Sequence, residues 1–189
     1  MATMNHVWTA TLSLVEVTPV IQGLFGCFNL QQLANTNGDV YIAKGKDDAG
    51  SWEAVYEHLQ QTTQALGIDL PDASFGELLH ALAIRNGSTD TRYLDAMLAE
   101  WDLDLLTDAD LGDLFEIAKH IDDGHGLRVI KIEGATYCAR MIEGEFGGHS
   151  RFIGQHVDTG TQSSTGLVLG GQIEAALAAG KIEVAAAAI

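Results

Sequence analysis

Two hydrophobic periodicities, separated along the chain, constrain the fold more than any other feature. Near the N-terminus, Thr9, Thr11, Ser13 and Val15 alternate with Trp8, Ala10, Leu12 and Leu14, as in a half-buried strand. Thr and Val suit a pleated surface. The alternation predicts one long strand over residues 6–21, with Pro19 at its end or at an edge position. Asn37-Gly38 is a turn signal, because this pair accepts the positive φ of a tight hairpin. DVYIAK at 39–44 reads as a second, short strand.

Helical spacing then takes over. Ser51 is the predicted cap of a helix that reaches Leu66 and stops at Gly67. Ser74 and Glu77 have capping-box spacing ahead of Leu78, Leu79, Leu82 and Ile84, and Asn86-Gly87 ends that helix. Residues 91–100 form a third. Thr107 is the predicted cap of a fourth, with Asp108 and Asp110 in its electropositive first turn. That helix runs to about Ile121, and the loop Asp122-Asp123-Gly124-His125-Gly126 closes it. Alternation returns in LRVIKIE at 127–133 and ATYCARMIE at 135–143, and Gly134 between them predicts a hairpin. Residues 145–166, rich in Gly, Ser and Thr, read as a long loop or irregular strands; 172–179 as a short helix; 181–184 as a last strand.

Strands, then helices, then strands predict an α+β fold. Its largely antiparallel sheet comes from the N- and C-terminal strands, with a helical block at 51–123. A length of 189 residues suits a single domain, with that block as an alternative second lobe.

Charge is as segregated as periodicity. The chain carries 26 acids against 10 Lys and Arg, a net charge of −16. Residues 90–123 hold 11 acids and 2 bases, so more than half of the net charge sits in 34 residues. Such a balance argues against direct binding to nucleic acid or an anionic membrane, both of which need a positive surface. It favours a basic partner. On the fourth helix, Leu111, Leu114, Phe115, Ile117, Ala118 and Ile121 share one side, and Asp108, Asp110, Asp113 and Glu116 occupy the opposite arc. Those acids would span roughly 12 Å along the axis. Just upstream, Glu100, Asp102 and Asp104 alternate with Trp101, Leu103 and Leu105. A row of carboxylates on a rigid helix imitates the phosphate charge of a duplex. Trp101 among acids can pack on the Arg or Lys side chains of a basic partner. The competing interpretation is an ordinary solvated helix face.

Other constellations are weaker. His120, Asp122, Asp123 and His125 form the densest ligand cluster, at a spacing that matches no standard zinc motif. Glu143, Glu145, His149 and His156 flank a Gly-rich stretch that could gather acids and imidazoles for acid–base chemistry. Cys27 and Cys138 are the only cysteines, which suits a reducing, cytoplasmic setting with both thiols free. The N-terminus lacks the basic region of a signal peptide, and no stretch is long and apolar enough to span a membrane.

The leading expectation is a cytoplasmic, non-enzymatic acidic inhibitor or decoy. It would occupy the nucleic-acid-binding surface of a basic protein or nuclease complex, in the manner of anti-restriction, anti-CRISPR or nuclease-immunity proteins of mobile elements. The contact residues would be Trp101, Asp102, Asp104, Asp108, Asp110, Asp113 and Glu116, with no metal and no cofactor. One alternative is an acid–base or metal-dependent enzyme using His125, Glu143, Glu145, His149 and His156. Another is an assembly protein that pairs through its C-terminal strand, expected at 181–184.

Overall fold

A computed structural model describes residues 4–32, 38–45, 50–88, 91–100, 105–138, 146–163, 165 and 172. The elements are β1 (Met4–Ser13), α1 (Pro19–Phe25), a 3₁₀ turn (Gly26–Phe28), β2 (Gln31–Gln32), β3 (Asp39–Lys44), α2 (Trp52–Ala65), α3 (Phe75–Arg85), α4 (Arg92–Glu100), α5 (Leu111–His120), β4 (Val129–Cys138), β5 (Phe146–Gly154) and β6 (Asp158–Gln162). The fold is α+β. Six strands form one antiparallel sheet in the order β2-β3-β1-β4-β5-β6. The connection from β3 to β4 passes β1 and carries α2 to α5.

Register explains which face the helices cover. Leu12 pairs with Val40 and Ile130, and Ile130 with Ile153; Ala10 pairs with Ile42 and Ile132. Paired residues point to the same face, and all of these are buried. Lys131 and Glu133 of β4, which point the other way, are exposed. The apolar face and the buried sides of α1, α2, α3 and α5 belong to one core cluster. Within it Trp52 packs edge-on against Phe75 at 5.7 Å. Each fully buried Leu or Phe here contributes about 1.5–3 kcal/mol relative to exposure.

The helix boundaries follow local chemistry. Ser51 accepts a hydrogen bond from the Ala54 N–H and caps α2. Ser74 and Glu77 form the full capping box of α3. Gly67 and Gly87 take the positive φ that ends these two helices. At Gly38 (φ +95°) a side chain would meet the backbone of Leu14 and Val15, so both conformation and close approach require glycine.

Four expectations are corrected. First, β1 stops at Ser13, and residues 19–25 are helical. Pro19 opens α1, where its fixed φ fits the first turn and its missing N–H costs nothing. Val20, Ile21, Leu24 and Phe25 are fully buried and only Pro19 and Gln22 are exposed, so a helix of seven residues offers too few polar positions to reveal its period.

Second, β4 runs unbroken through Gly134, with no hairpin there. The His149 ring lies over Gly134, where any Cβ would collide with it. The glycine serves a close approach, not a turn.

Third, α5 begins at Leu111 and is capped by Asp110, whose carboxylate accepts from the Gly112 and Asp113 N–H groups at 2.7 and 3.3 Å. Thr107 instead accepts the Trp52 N–H through its carbonyl.

Fourth, of the two readings of 145–166, a long loop or irregular strands, the structure shows strands, and residues 146–162 pair regularly as β5–β6. Of the helix expected at 172–179 only residue 172 is described, and the strand at 181–184 lies outside the described residues.

Candidate functional site

The acidic block is where the fold rearranges the charge most. Trp101, Asp102 and Asp104 lie outside the described residues. Asp108 precedes α5 and does not share a helical face with Asp113 and Glu116. Its segment lies along the start of α2. The Trp52 N–H donates to Thr107 O, the Glu53 N–H to Leu105 O and the Ala109 N–H to Gly50 O, at 2.8–3.0 Å. Asp108 pairs with Ser51, the cap of α2, whose first turn carries the exposed Glu53, with exposed Glu57 one turn further along.

The fold also delivers cations to these acids from distant strands. Lys44 of β3 forms an ion pair with Asp108. Arg151 of β5 donates to Asp110 at 2.7 Å and grips both oxygens of Asp158 at 2.9 and 2.7 Å. These partners hold the guanidinium proton even more firmly than usual and keep Asp158 below the ordinary carboxylate range. Lys119 pairs with Glu116 at 3.1 Å. Asp113 moves the other way: partial burial, then the neighbouring Asp110 charge, raise it. The four acids at 108, 110, 113 and 116 therefore do not form the uncompensated row that their spacing suggested. Among the described residues, Glu53, Glu57, Asp69 and Asp72 are exposed acids with no basic group within ion-pair distance.

The histidine cluster is part of the scaffold. One ligand atom each of Asp122, Asp123 and His125 lie within 4.8 Å of one another. His125 is 2% exposed, and both of its ring nitrogens are engaged. Nδ1 accepts the Leu127 N–H at 2.8 Å. Nε2 therefore carries the proton and donates to Ala118 O at 3.0 Å. No lone pair remains for a cation. Asp122 accepts from the Gly124 N–H at 2.9 Å, and Asp123 Oδ2 from the Val20 N–H at 3.0 Å, closing the N-terminus of α1. Two buried oxygens, Asp123 Oδ1 and Thr18 Oγ1, make no hydrogen bond there. His120 instead stacks on Tyr93, with ring centroids 3.6 Å apart. Burial lowers its pKa, and the nearby Glu116 offsets this only in part.

Of the acid–base set only the two histidines are described, and they lie apart. Glu143 and Glu145 lie outside the described residues. His149 sits over Gly134 in an open cleft of about 940 Å³ that also includes His6, Thr136 and Gln162. His156 lies beyond Gly154 in the exposed β5–β6 turn, and Gly154 is itself roughly 17 Å along the strand from His149. Cys138 is buried, and burial pushes the Cys27 thiol up to about 12. Neither cysteine has the character of an activated nucleophile. No helix among the described residues is long and apolar enough to cross a membrane.

Comparison of the chain with protein-family models, curated proteins and solved structures finds no match.

Proposed function

We propose that this protein is a non-enzymatic acidic binding module that occupies a cationic, nucleic-acid-binding surface of a basic protein or nuclease complex. One observation carries the reading: residues 51–123 hold 16 acids against 3 Lys and Arg, so this segment supplies −13 of the net −16. The described acids of this segment lie on, between or directly after α2, α3, α4 and α5. The contact set includes Asp108, Asp113 and Glu116, the upstream Trp101, Asp102 and Asp104, and the neighbouring Glu53 and Glu57. Asp110 supports this set by capping α5 and holding Arg151.

The mechanism is long-range attraction followed by steric occlusion. The ion pairs of Asp108, Asp110 and Glu116 orient their carboxylates and reduce the local field. Attraction then comes from the summed charge of the layer and from its unpaired acids. Screening acts over about 8 Å at physiological ionic strength, so association is salt-sensitive. A pull-down from bacterial lysate at low and high salt tests the proposal. The control bait carries Glu53→Gln, Glu57→Gln, Asp108→Asn and Glu116→Gln. A basic nucleic-acid-binding protein held by the native bait alone, and released by salt, is the expected result. A set of bound proteins identical for the two baits would refute it.

A further inference from the structure

Between α3 and α4 the helical layer leaves an open groove of about 750 Å³. Ala73, Gly76, Ala81 and Leu98 line its apolar part. Gly76 permits the close approach of α4, since a Cβ there would meet Leu98 Cδ1 at 3.0 Å. Leu70 and Ile84 also line it while remaining 40% and 65% exposed. Isolated exposed apolar residues are ordinary, but these two share one concave surface. The charged lining is acidic: Asp72, Glu77 and Asp95, with His80 bound to Asp95 at 2.8 Å as the one basic side chain. The Ser74 backbone and hydroxyl hold the Glu77 carboxylate below its ordinary range, so it stays ionised.

We infer that this groove receives a cationic amphipathic helix of the partner. Its apolar side chains would seat on Leu70, Ala81 and Ile84, and its flanking Lys or Arg residues would meet Asp72, Glu77 and Asp95. From Gly76 to Ile84 the α3 wall spans roughly 12 Å, enough for anchors at i, i+4 and i+7 of such a helix. Charge complementarity selects this occupant. An acidic helix is repelled by the lining, and a neutral one gains nothing from its three carboxylates. The inference rests on the acidic-interface reading and adds to it a location and a class of ligand.

The test uses two labelled Leu/Lys peptides of about 18 residues and identical composition, one amphipathic as a helix and one permuted. Anisotropy titrations on the full chain at about 50 and 500 mM salt give both affinity and salt dependence. The amphipathic peptide should bind at least about tenfold more tightly than its permuted isomer. Leu70→Ser with Ile84→Ser, both at exposed positions, should erase that preference while leaving the circular dichroism spectrum unchanged. Equal, salt-sensitive binding of both peptides would overturn the groove and leave the acidic interface standing. A preference that survives the double Ser variant would also overturn the groove. A preference unaffected by Asp72→Asn with Asp95→Asn would overturn the cationic requirement. No binding by either peptide would overturn the groove, while the acidic interface is decided by the pull-down.

Discussion

His125 offers the sharpest test of the bonding that holds the site region together. Its ring is 2% exposed, accepts the Leu127 N–H and donates to the Ala118 carbonyl. Replacement by Ala strands both backbone groups in a buried setting. Each stranded group costs about 1–3 kcal/mol, and the vacated ring volume adds a cavity cost. A total of about 3–4 kcal/mol is a large share of the ~5–15 kcal/mol stability of an ordinary domain. With a urea m-value of about 2 kcal/mol/M, the midpoint should fall by roughly 1.5–2 M. Urea titration followed by far-UV circular dichroism measures this directly. His125→Gln should recover part of the loss, because its amide can still donate to Ala118 O. Micromolar Zn²⁺ should leave the wild-type melting temperature unchanged, since both ring nitrogens are committed. A midpoint shift below about 0.5 M, or a Zn²⁺-dependent rise in melting temperature lost in His125→Ala, would refute the reasoning.

Three further outcomes follow from the electrostatics. Asp158→Asn should cost about 1 kcal/mol at pH 7, by weakening a bidentate but partly exposed pair with Arg151. Because the Asp158 pKa is depressed, its contribution is complete above its ordinary value of 3.8 and is lost as pH falls below it. The gap between wild type and variant in urea titrations should close over that acid range. Asp113→Asn should stabilise by a few tenths of a kcal/mol at neutral pH after solvent screening. A raised carboxylate pKa lowers stability as pH rises through it, so this gain should vanish in titrations below pH 3.8. Finally, a thiol reagent at pH 8 should label Cys27 and Cys138 slowly in the native protein and rapidly in guanidinium chloride. Burial keeps the first as a thiol and shields the second.

Local chemistry was legible in the sequence where a signal and its target lie within a few residues. Ser51, the Ser74–Glu77 box, Gly67 and Gly87 set their helix ends as their residue types require. The strand at 39–44 matches its expected range. Long-range arrangements were not legible. α1 is hidden because it is only seven residues long and exposes only Pro19 and Gln22, too few polar positions to set a period. Gly134 looks like a turn residue until the His149 ring is placed over it from a neighbouring strand. Thr107, Asp108 and Asp110 are all competent caps, so the sequence alone does not single out Asp110, three residues after Thr107, as the cap of α5. Docking of the preceding segment on α2 decides among them. The candidate site shows the same limit. The charge of 90–123 is evident along the chain, but Lys44 and Arg151 reach Asp108 and Asp110 only through the sheet.

The central claim is that the acidic helical layer takes the place of nucleic acid on a basic protein. Its most direct test is competition. The protein retained by the native bait is immobilised with a labelled DNA duplex, and the chain is titrated in at about 100 mM salt. The account predicts complete displacement of the duplex, at a concentration of chain that rises in proportion to the duplex present. A stable ternary complex of partner, duplex and chain would contradict it.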